Sequence, residues 1–350
     1  MIDDVLRPIH GSTDAGPPPR YDFSTNANAI GPDPHALRAV RAADPSRHPD
    51  PLYTHLHQAL AAFHRVDPTQ VAVGSGSSEL IVRLTRWRYL RGPMLILPPT
   101  FSEYARAAQP AELPLLQARD PEEFLHLLPR ATLAFLCVPN NPTGEVYGFL
   151  QEAAALAEAS RTTLVLDLAY FPFLQNPPPL PPSAWRLYGP NKAHGLTGVR
   201  AGYLVAPLDL SHFRELAPSW VLSVHGEAFL KAHLESPSQA WVAQTRVTLW
   251  QWRTELARGL RGLGHPASRR KEHHPASRRK ERLEVRESPA NFLLVRVGAA
   301  TRVALALREA GLRVRDCTSF GLPEWLRLSA QPPEAQAALL EALSEVLAHA

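Results

Sequence analysis

The sequence predicts an α/β protein built on a large, mostly parallel sheet, with a smaller α/β segment toward the carboxyl end. Apolar runs of strand length at 71–73, 94–97, 133–138 and 163–166 alternate with helical patterns. Strands that alternate with helices make a parallel sheet covered on both faces. Each run ends in a turn carrying polar or aromatic residues, and ligands of such sheets sit beyond the carboxyl ends of the strands. At 350 residues the chain is long enough for two lobes.

Taken in order, residues 1–32 read as an irregular arm broken by Pro17-Pro18-Pro19 and Gly31-Pro32, with a polar centre at Ser24-Thr25-Asn26-Ala27-Asn28. A short helical pattern covers 34–43, with Asp33 as N-cap before a first-turn proline. Leu52, Leu56 and Leu60, with Ala59 and Phe63, repeat at helical spacing. The run 71–73 leads into Gly74-Ser75-Gly76-Ser77-Ser78-Glu79, where a helix with Leu80, Ile81 and Leu84 begins. A strand, a Gly/Ser turn and a helix start can bind an anion, because free N–H groups and the helix dipole point at one place. The plainer reading is an N-cap with Glu79 in the first turn.

The next runs end at Pro98-Pro99-Thr100-Phe101, at Pro139-Asn140-Asn141-Pro142-Thr143-Gly144, and at Asp167-Leu168-Ala169-Tyr170. Lys192 then precedes a turn with glycines at 195, 198 and 202 and an apolar strand at 203–206. Ammonium is costly to bury, and a buried lysine of depressed pKa forms Schiff bases with aldehydes. Alone, it reads as an exposed loop residue. A long helical pattern spans 228–263. A second α/β segment follows, with strands at 291–297, 312–316 and 325–329 and helices at 301–310 and 333–347. Arg327, between Leu326 and Leu328, is either an exposed edge residue or a carboxylate clamp.

No apolar run approaches the roughly 20 residues of a membrane span, so no membrane partner is expected. Met1-Ile2-Asp3-Asp4 carries acid and no apolar stretch, so no signal peptide is expected. Two isolated cysteines, Cys137 and Cys317, fit a reducing cytoplasm and give no metal spacing. The net charge of +4 has a local source, a tandem duplication of nine residues at 265–273 and 274–282. A basic patch can bind nucleic acid, but no aromatic residue is interleaved with it, and it reads as an exposed loop insertion.

The turn residues together have a chemical meaning. Phe101 can stack on a planar ring, Asn141 can bond a phenolic oxygen, and Asp167 can keep a pyridine nitrogen protonated. The helix start at Ser77 suits a phosphate and Lys192 an aldehyde. These are the contacts that pyridoxal 5′-phosphate requires.

With Asn26-Ala-Asn28, His48-Pro-Asp-Pro, Pro99-Thr-Phe101, Asn140-Asn-Pro-Thr-Gly144, Arg200 eight residues after Lys192, and Arg327, the chain resembles the fold-type I aminotransferases. The branch it is most similar to holds histidinol-phosphate aminotransferases and the threonine-phosphate decarboxylases of cobalamin synthesis. The resemblance implies a large cofactor-binding domain over 46–227. Residues 1–45 would be an arm and part of a small domain, and 228–350 a linking helix and that small domain. Lys192 would form the internal aldimine and shuttle protons. Asp167 would pair with the pyridinium nitrogen, while Asn141 and Tyr170 would bond the ring oxygen and Phe101 would stack on the ring. Ser77, Ser78 and Arg200 would hold the phosphate, and Arg327 the acidic end of the substrate.

Two departures stand out. His48 replaces the family's usual tyrosine, which reaches the neighbouring subunit's cofactor phosphate. Gly189 and Asn191 replace usual Ser or Thr positions before the lysine. The resemblance further implies a cytoplasmic homodimer. Transamination and decarboxylation both stay open, with a PLP-fold binding protein without turnover as a third reading that an intact Lys192, Asp167 and Arg327 oppose. The expected substrate is a small amino acid or amino alcohol bearing phosphate, with 2-oxoglutarate or a similar acid as acceptor in transamination. His10 and Asn26 in the arm could bond a second anion.

Overall fold

The computed structural model describes residues 16–265 and 281–348; His10 and residues 266–280, most of the basic repeat, lie outside them. The chain opens with β1 (Tyr21–Asp22), α1 (Pro34–Ala42), α2 (Thr54–His64), β2 (Val71–Gly74) and α3 (Ser77–Arg86). It continues through β3 (Met94–Ile96), α4 (Glu103–Ala108), β4 (Leu115–Gln117), α5 (Pro121–Leu127), β5 (Leu133–Cys137), α6 (Leu150–Ser160), β6 (Thr163–Asp167), β7 (Trp185–Tyr188) and β8 (Gly202–Val205). These strands form one seven-stranded sheet in the order β2-β8-β7-β6-β5-β3-β4. Every pairing is parallel except the two made by β8.

Both faces of this sheet are covered, which is why its central strands read as unbroken apolar runs. Ile96, Phe135 and Val165 pack with Leu80, Ile81 and Leu84 of α3 and Tyr104 of α4. Leu95, Leu136 and Leu166 point the other way, onto Phe124 of α5 and Leu150, Ala153 and Ala157 of α6. Asp33 caps α1 as expected, accepting from the amides of His35 and Ala36. The expectation for 52–63 needs correction at both ends. Leu52 is 73% exposed and Phe63 44%. Leu52 lies ahead of α2, in a turn where the Asp50 carboxylate accepts its amide proton and that of Thr54.

The second half holds α7 (Ser211–Arg214), α8 (Val224–Leu234), α9 (Ser236–Gly262), β9 (Gly264–His265), β10 (Glu281–Arg282), β11 (Val285–Glu287), β12 (Phe292–Arg296), α10 (Ala300–Glu309), β13 (Leu312–Arg313), β14 (Arg315–Asp316), β15 (Trp325–Ser329) and α11 (Pro333–Ala348). The helix expected over 228–263 is two. Glu235 is extended, and Pro237 sits in the first turn of α9, where its missing N–H costs nothing. The strand expected over 312–316 is also two, because β13 pairs with β1 of the arm while β14 pairs with β15. β11, β12, β15 and β14 form an antiparallel sheet. Its inner residues Leu293, Val295, Leu326 and Leu328 pack on Leu339 and Leu343 of α11.

Candidate active site

The sheet topology gathers the polar turns at one end. Ser77 follows β2, Asn141 follows β5, Asp167 ends β6 and Lys192 follows β7. β8 runs the opposite way, with Gly202 paired to Gly74, so Arg200 ahead of it emerges beside the turn that follows β2. A cavity of about 410 Å³ opens there, within the size range of small-molecule sites. Ser77, Ser78, Phe101, Asn141, Asp167, Tyr170, Lys192, Arg200 and Arg327 all line it.

At its centre Asp167 is 1% exposed. One carboxylate oxygen accepts from the Ala169 amide at 3.1 Å and the other from the Tyr104 hydroxyl at 2.9 Å. Burial pushes this carboxyl above its usual range, and those hydrogen bonds and the charge of Lys192 pull it back. The Lys192 nitrogen stands 5.4 Å from the centre of the Tyr170 ring. Phe101 meets Tyr104 edge-on, and Tyr104 stacks on Phe135.

One end of the cavity brings the start of α3 and the Arg200 guanidinium together. Gly76 has φ +86°, and a Cβ there would lie 2.8 Å from Arg200 Nη2, so a glycine is needed to let the guanidinium close over the turn. Ser77 and Ser78 open α3, and Thr197 and Gly198 face them across the cavity. Glu79 turns away, accepting from the Ser75 amide and from Arg83. The departures at 189 and 191 have separate accounts. Oriented to pair donor with acceptor, the Asn191 amide donates to Ala201 O at 2.6 Å and accepts from Ala201 N at 3.3 Å, bracing the turn. A Cβ on Gly189 would meet Ser77 Oγ at an ordinary 3.5 Å, so that position has room for a side chain.

The other end carries two arginines from adjacent strands, Arg315 and Arg327, paired in register. Arg327 is only 3% exposed, and β15 lies inside its sheet, so the exposed-edge reading fails. Its Nη1 donates to Asn141 Oδ1 and its Nη2 to Ser24 O, both neutral acceptors. Its Nε, also buried, has no hydrogen-bond partner. Among the described residues no carboxylate pairs with Arg327, Arg200 or Lys192. Arg315 donates to Ser319 Oγ at 2.7 Å and lies over the Phe320 ring. Burial, then the charge of Arg327, pulls its pKa down to about 10.

Asn26, expected at the site, is not on the cavity wall, and neither is His48, whose expected role is toward the neighbouring subunit's cofactor. His48 stacks on Trp220, ring centres 4.3 Å apart. Asn26 is fully buried, and its side-chain amide has no partner in its surroundings. Thr25 beside it lines the cavity instead. Sequence reasoning gave no role to Tyr104, Thr25 or Phe320, and placed Arg315 only in the stretch Arg315-Asp316-Cys317, which resembles the decarboxylases. The alternation of Arg313 and Arg315 in an apolar stretch was the available signal for the second arginine.

Comparison with known proteins adds four findings. The family model of aminotransferase class I and II matches residues 20–344. A histidinol-phosphate aminotransferase of Ralstonia nicotianae is 32% identical over 353 aligned positions, covering 94% of this chain and 89% of that protein. A threonine-phosphate decarboxylase of Salmonella typhimurium is 31% identical over 253 positions, 67% of this chain and 68% of that protein. Among solved structures, the histidinol-phosphate aminotransferase of Sinorhizobium meliloti in complex with pyridoxal 5′-phosphate superposes with a TM-score of 0.78. It is 24% identical and covers 93% of this chain and 90% of that one.

Proposed function

This chain belongs to the aminotransferase class I and II family, and from that premise we propose that it moves the amino group of a small phosphorylated amino compound to 2-oxoglutarate or a similar acid, with pyridoxal 5′-phosphate as cofactor. The residues fit that cofactor: a lysine and an arginine without carboxylate partners face one cavity with a buried carboxylate and the start of α3. Lys192 would hold the aldehyde, Asp167 the ring nitrogen, Asn141 and Tyr170 the ring oxygen, Phe101 the ring face, and Ser77, Ser78 and Arg200 the phosphate. When bound, the cofactor supplies a protonated ring that draws electron density from the bonds at the substrate's alpha carbon. Lys192 takes and returns the alpha proton at its Nζ, and the apolar walls of Phe101, Ala169 and Phe320 limit water.

The observation that carries the substrate class is Arg327. A buried guanidinium with only neutral partners, facing the cavity that Lys192 faces, needs an anion to complete it. The test is to incubate the loaded enzyme with histidinol phosphate plus 2-oxoglutarate, and separately with threonine phosphate alone. Glutamate formation is the expected result. Borohydride should fix the cofactor to Lys192 and to no other lysine. No change of the bound cofactor's spectrum with either compound would end the phosphorylated-substrate reading.

One observation favours the decarboxylase as a second reading. Arg315 stands in register with Arg327, and two guanidiniums suit a substrate with two anionic groups. Carbon dioxide released from threonine phosphate without an acceptor would select it.

The same reading includes a homodimer. His48 and Trp220 form a stacked pair away from the cavity, and the neighbouring Leu52 is exposed, which leaves this surface for a second copy. Sedimentation velocity should give the dimer mass; a fully active monomer would sink the proposal. Both cysteines are buried and unpaired, which fits a cytoplasmic location. Activity in a periplasmic rather than a cytoplasmic cell fraction would count against that placement.

A further inference from the structure

Behind the lysine turn, on the side away from the cavity, five side chains form one buried hydrogen-bonded row. The Asp33 carboxylate meets His194 Nδ1 at 2.9 Å, and His194 Nε2 meets His233 Nδ1 at 2.9 Å. His233 Nε2 meets the Tyr203 hydroxyl at 3.3 Å, and that hydroxyl meets His64 Nε2 at 3.0 Å. Asp33, His194, His233 and Tyr203 are buried and His64 is half-buried. The row crosses from the N-cap of α1 through the lysine turn and α8 to β8 and α2.

Its donor order follows from its end. An ionised carboxylate only accepts, so His194 donates from Nδ1 and, when neutral, accepts at Nε2. His233 then donates from Nδ1 and accepts at Nε2 from Tyr203, whose oxygen accepts from His64. Every member is satisfied with all three histidines neutral. Burial, then the charges of His194 and His64, holds His233 well below the usual histidine range. Burial alone would raise the Asp33 carboxyl. Hydrogen bonds from His194 and the His35 amide, with the Ser238 hydroxyl close by, outweigh it and hold the carboxyl down to about 2.

Through His194 the row is joined to the backbone that carries Lys192. Asp33 N donates to His194 O at 2.9 Å, closing a two-point bond between these residues. Asn28 N donates to Lys192 O at 2.8 Å, and its side-chain amide donates to Ala193 O and to Thr245 of α9. A Cβ on Gly195 would lie 2.4 Å from Gly31 O, so arm and turn are in direct contact there. The Lys192 ammonium itself has no carboxylate partner in the described residues, so its placement depends on this backbone clasp.

We propose that His194 is the positioning residue of the reactive lysine, locking the turn of Lys192 between Asp33 of the arm and His233 of α8. The proposal rests on the reading of Lys192 as the lysine that holds the cofactor. Removing the imidazole takes from Asp33 Oδ2 and His233 Nδ1 the buried partner they share, and the turn shifts to satisfy them. A misplaced Nζ loses rate with little change in substrate binding.

The test compares wild type with H194F, H194N and H233F, each loaded with pyridoxal phosphate. Two quantities are read, the pH midpoint of the bound cofactor's visible band and the split between kcat and KM. In H194F the midpoint should move by about half a unit or more, and kcat should fall about tenfold with KM nearly unchanged. H194N, whose amide still donates to Asp33, should recover most of both, and H233F should show a smaller shift of the same sense. A wild-type midpoint and kcat in H194F overturn the proposal. So does a loss in H194F that appears only as lowered melting temperature and that H194N does not repair. Should H194F fail to fold, H233F decides by the same two readouts. Failure of the underlying reading is a different result: borohydride would then label a lysine other than Lys192 in wild type.

Discussion

Tyr104 shows how one side chain settles the state of another. It is fully buried, with its hydroxyl on Asp167, its ring on Phe135 and its edge toward Phe101. Burial, then the nearby Asp167 charge, raises the phenol well above its usual range, so it remains a donor at every working pH. That donation favours the ionised form of a carboxylate that burial would otherwise keep neutral. In Y104F the Asp167 carboxyl should rise further, by about one pH unit for the loss of one charge-assisted hydrogen bond. The sign is fixed: the group is needed ionised, so the acid limb of the kcat/KM profile should move to higher pH. A pH–rate profile of Y104F that superposes on wild type would show that Tyr104 only fills space. In the sequence Tyr104 lies three residues after Phe101, just inside α4 where Phe101 lies ahead of it, and no pattern there marked the tyrosine.

At the scale of elements, the turns were more legible than the strands that aim them. The turn after β2 announced itself because Gly74 and Gly76 are sterically required. A Cβ on Gly74 would lie 2.6 Å from Leu80 Cγ, and Gly76 holds φ +86°. The turns after β5 and β6 were readable because unbroken apolar runs stop abruptly at Asn140 and Asp167. β4 and β7 escaped notice for physical reasons. β4 is a short, partly exposed edge strand beside prolines. β7 alternates buried Trp185 and Leu187 with half-buried Arg186 and Tyr188, which lacks the continuous apolar signature. The reversal of β8 could not be read from composition, yet it is what delivers Arg200 to the cavity beside Ser77 and Ser78. Likewise the register of β14 with β15, which places two arginines side by side, is a tertiary fact. Neither run of residues states it.

At the scale of the whole molecule, the sequence offers fifteen histidines and no way to tell which are buried. The structure separates them. Burial, then Arg214, pushes His57 down to about 4, and burial, then Arg186, pushes His64 down to about 4. His233 is held well below the usual histidine range by burial and its histidine neighbours. These are bases whose folded pKa lies below the unfolded value near 6.5. Between pH 6.5 and about 4 the unfolded chain therefore binds more protons than the folded one. Their contribution to stability is complete above that window and is lost as pH falls through it. Each such histidine gives a slope of up to about 1.4 kcal/mol per pH unit. Below about pH 4 the depressed Asp33 carboxyl extends the loss toward pH 2. Urea denaturation of the full chain should thus show a midpoint that falls steadily from pH 7 to pH 5, before most carboxylates titrate. H57F should flatten that fall by the share of one proton, since it removes one titrating base. A midpoint constant across this range would mean that His57, His64 and His233 reach solvent in the folded protein, and the buried row behind Lys192 would then be open to water.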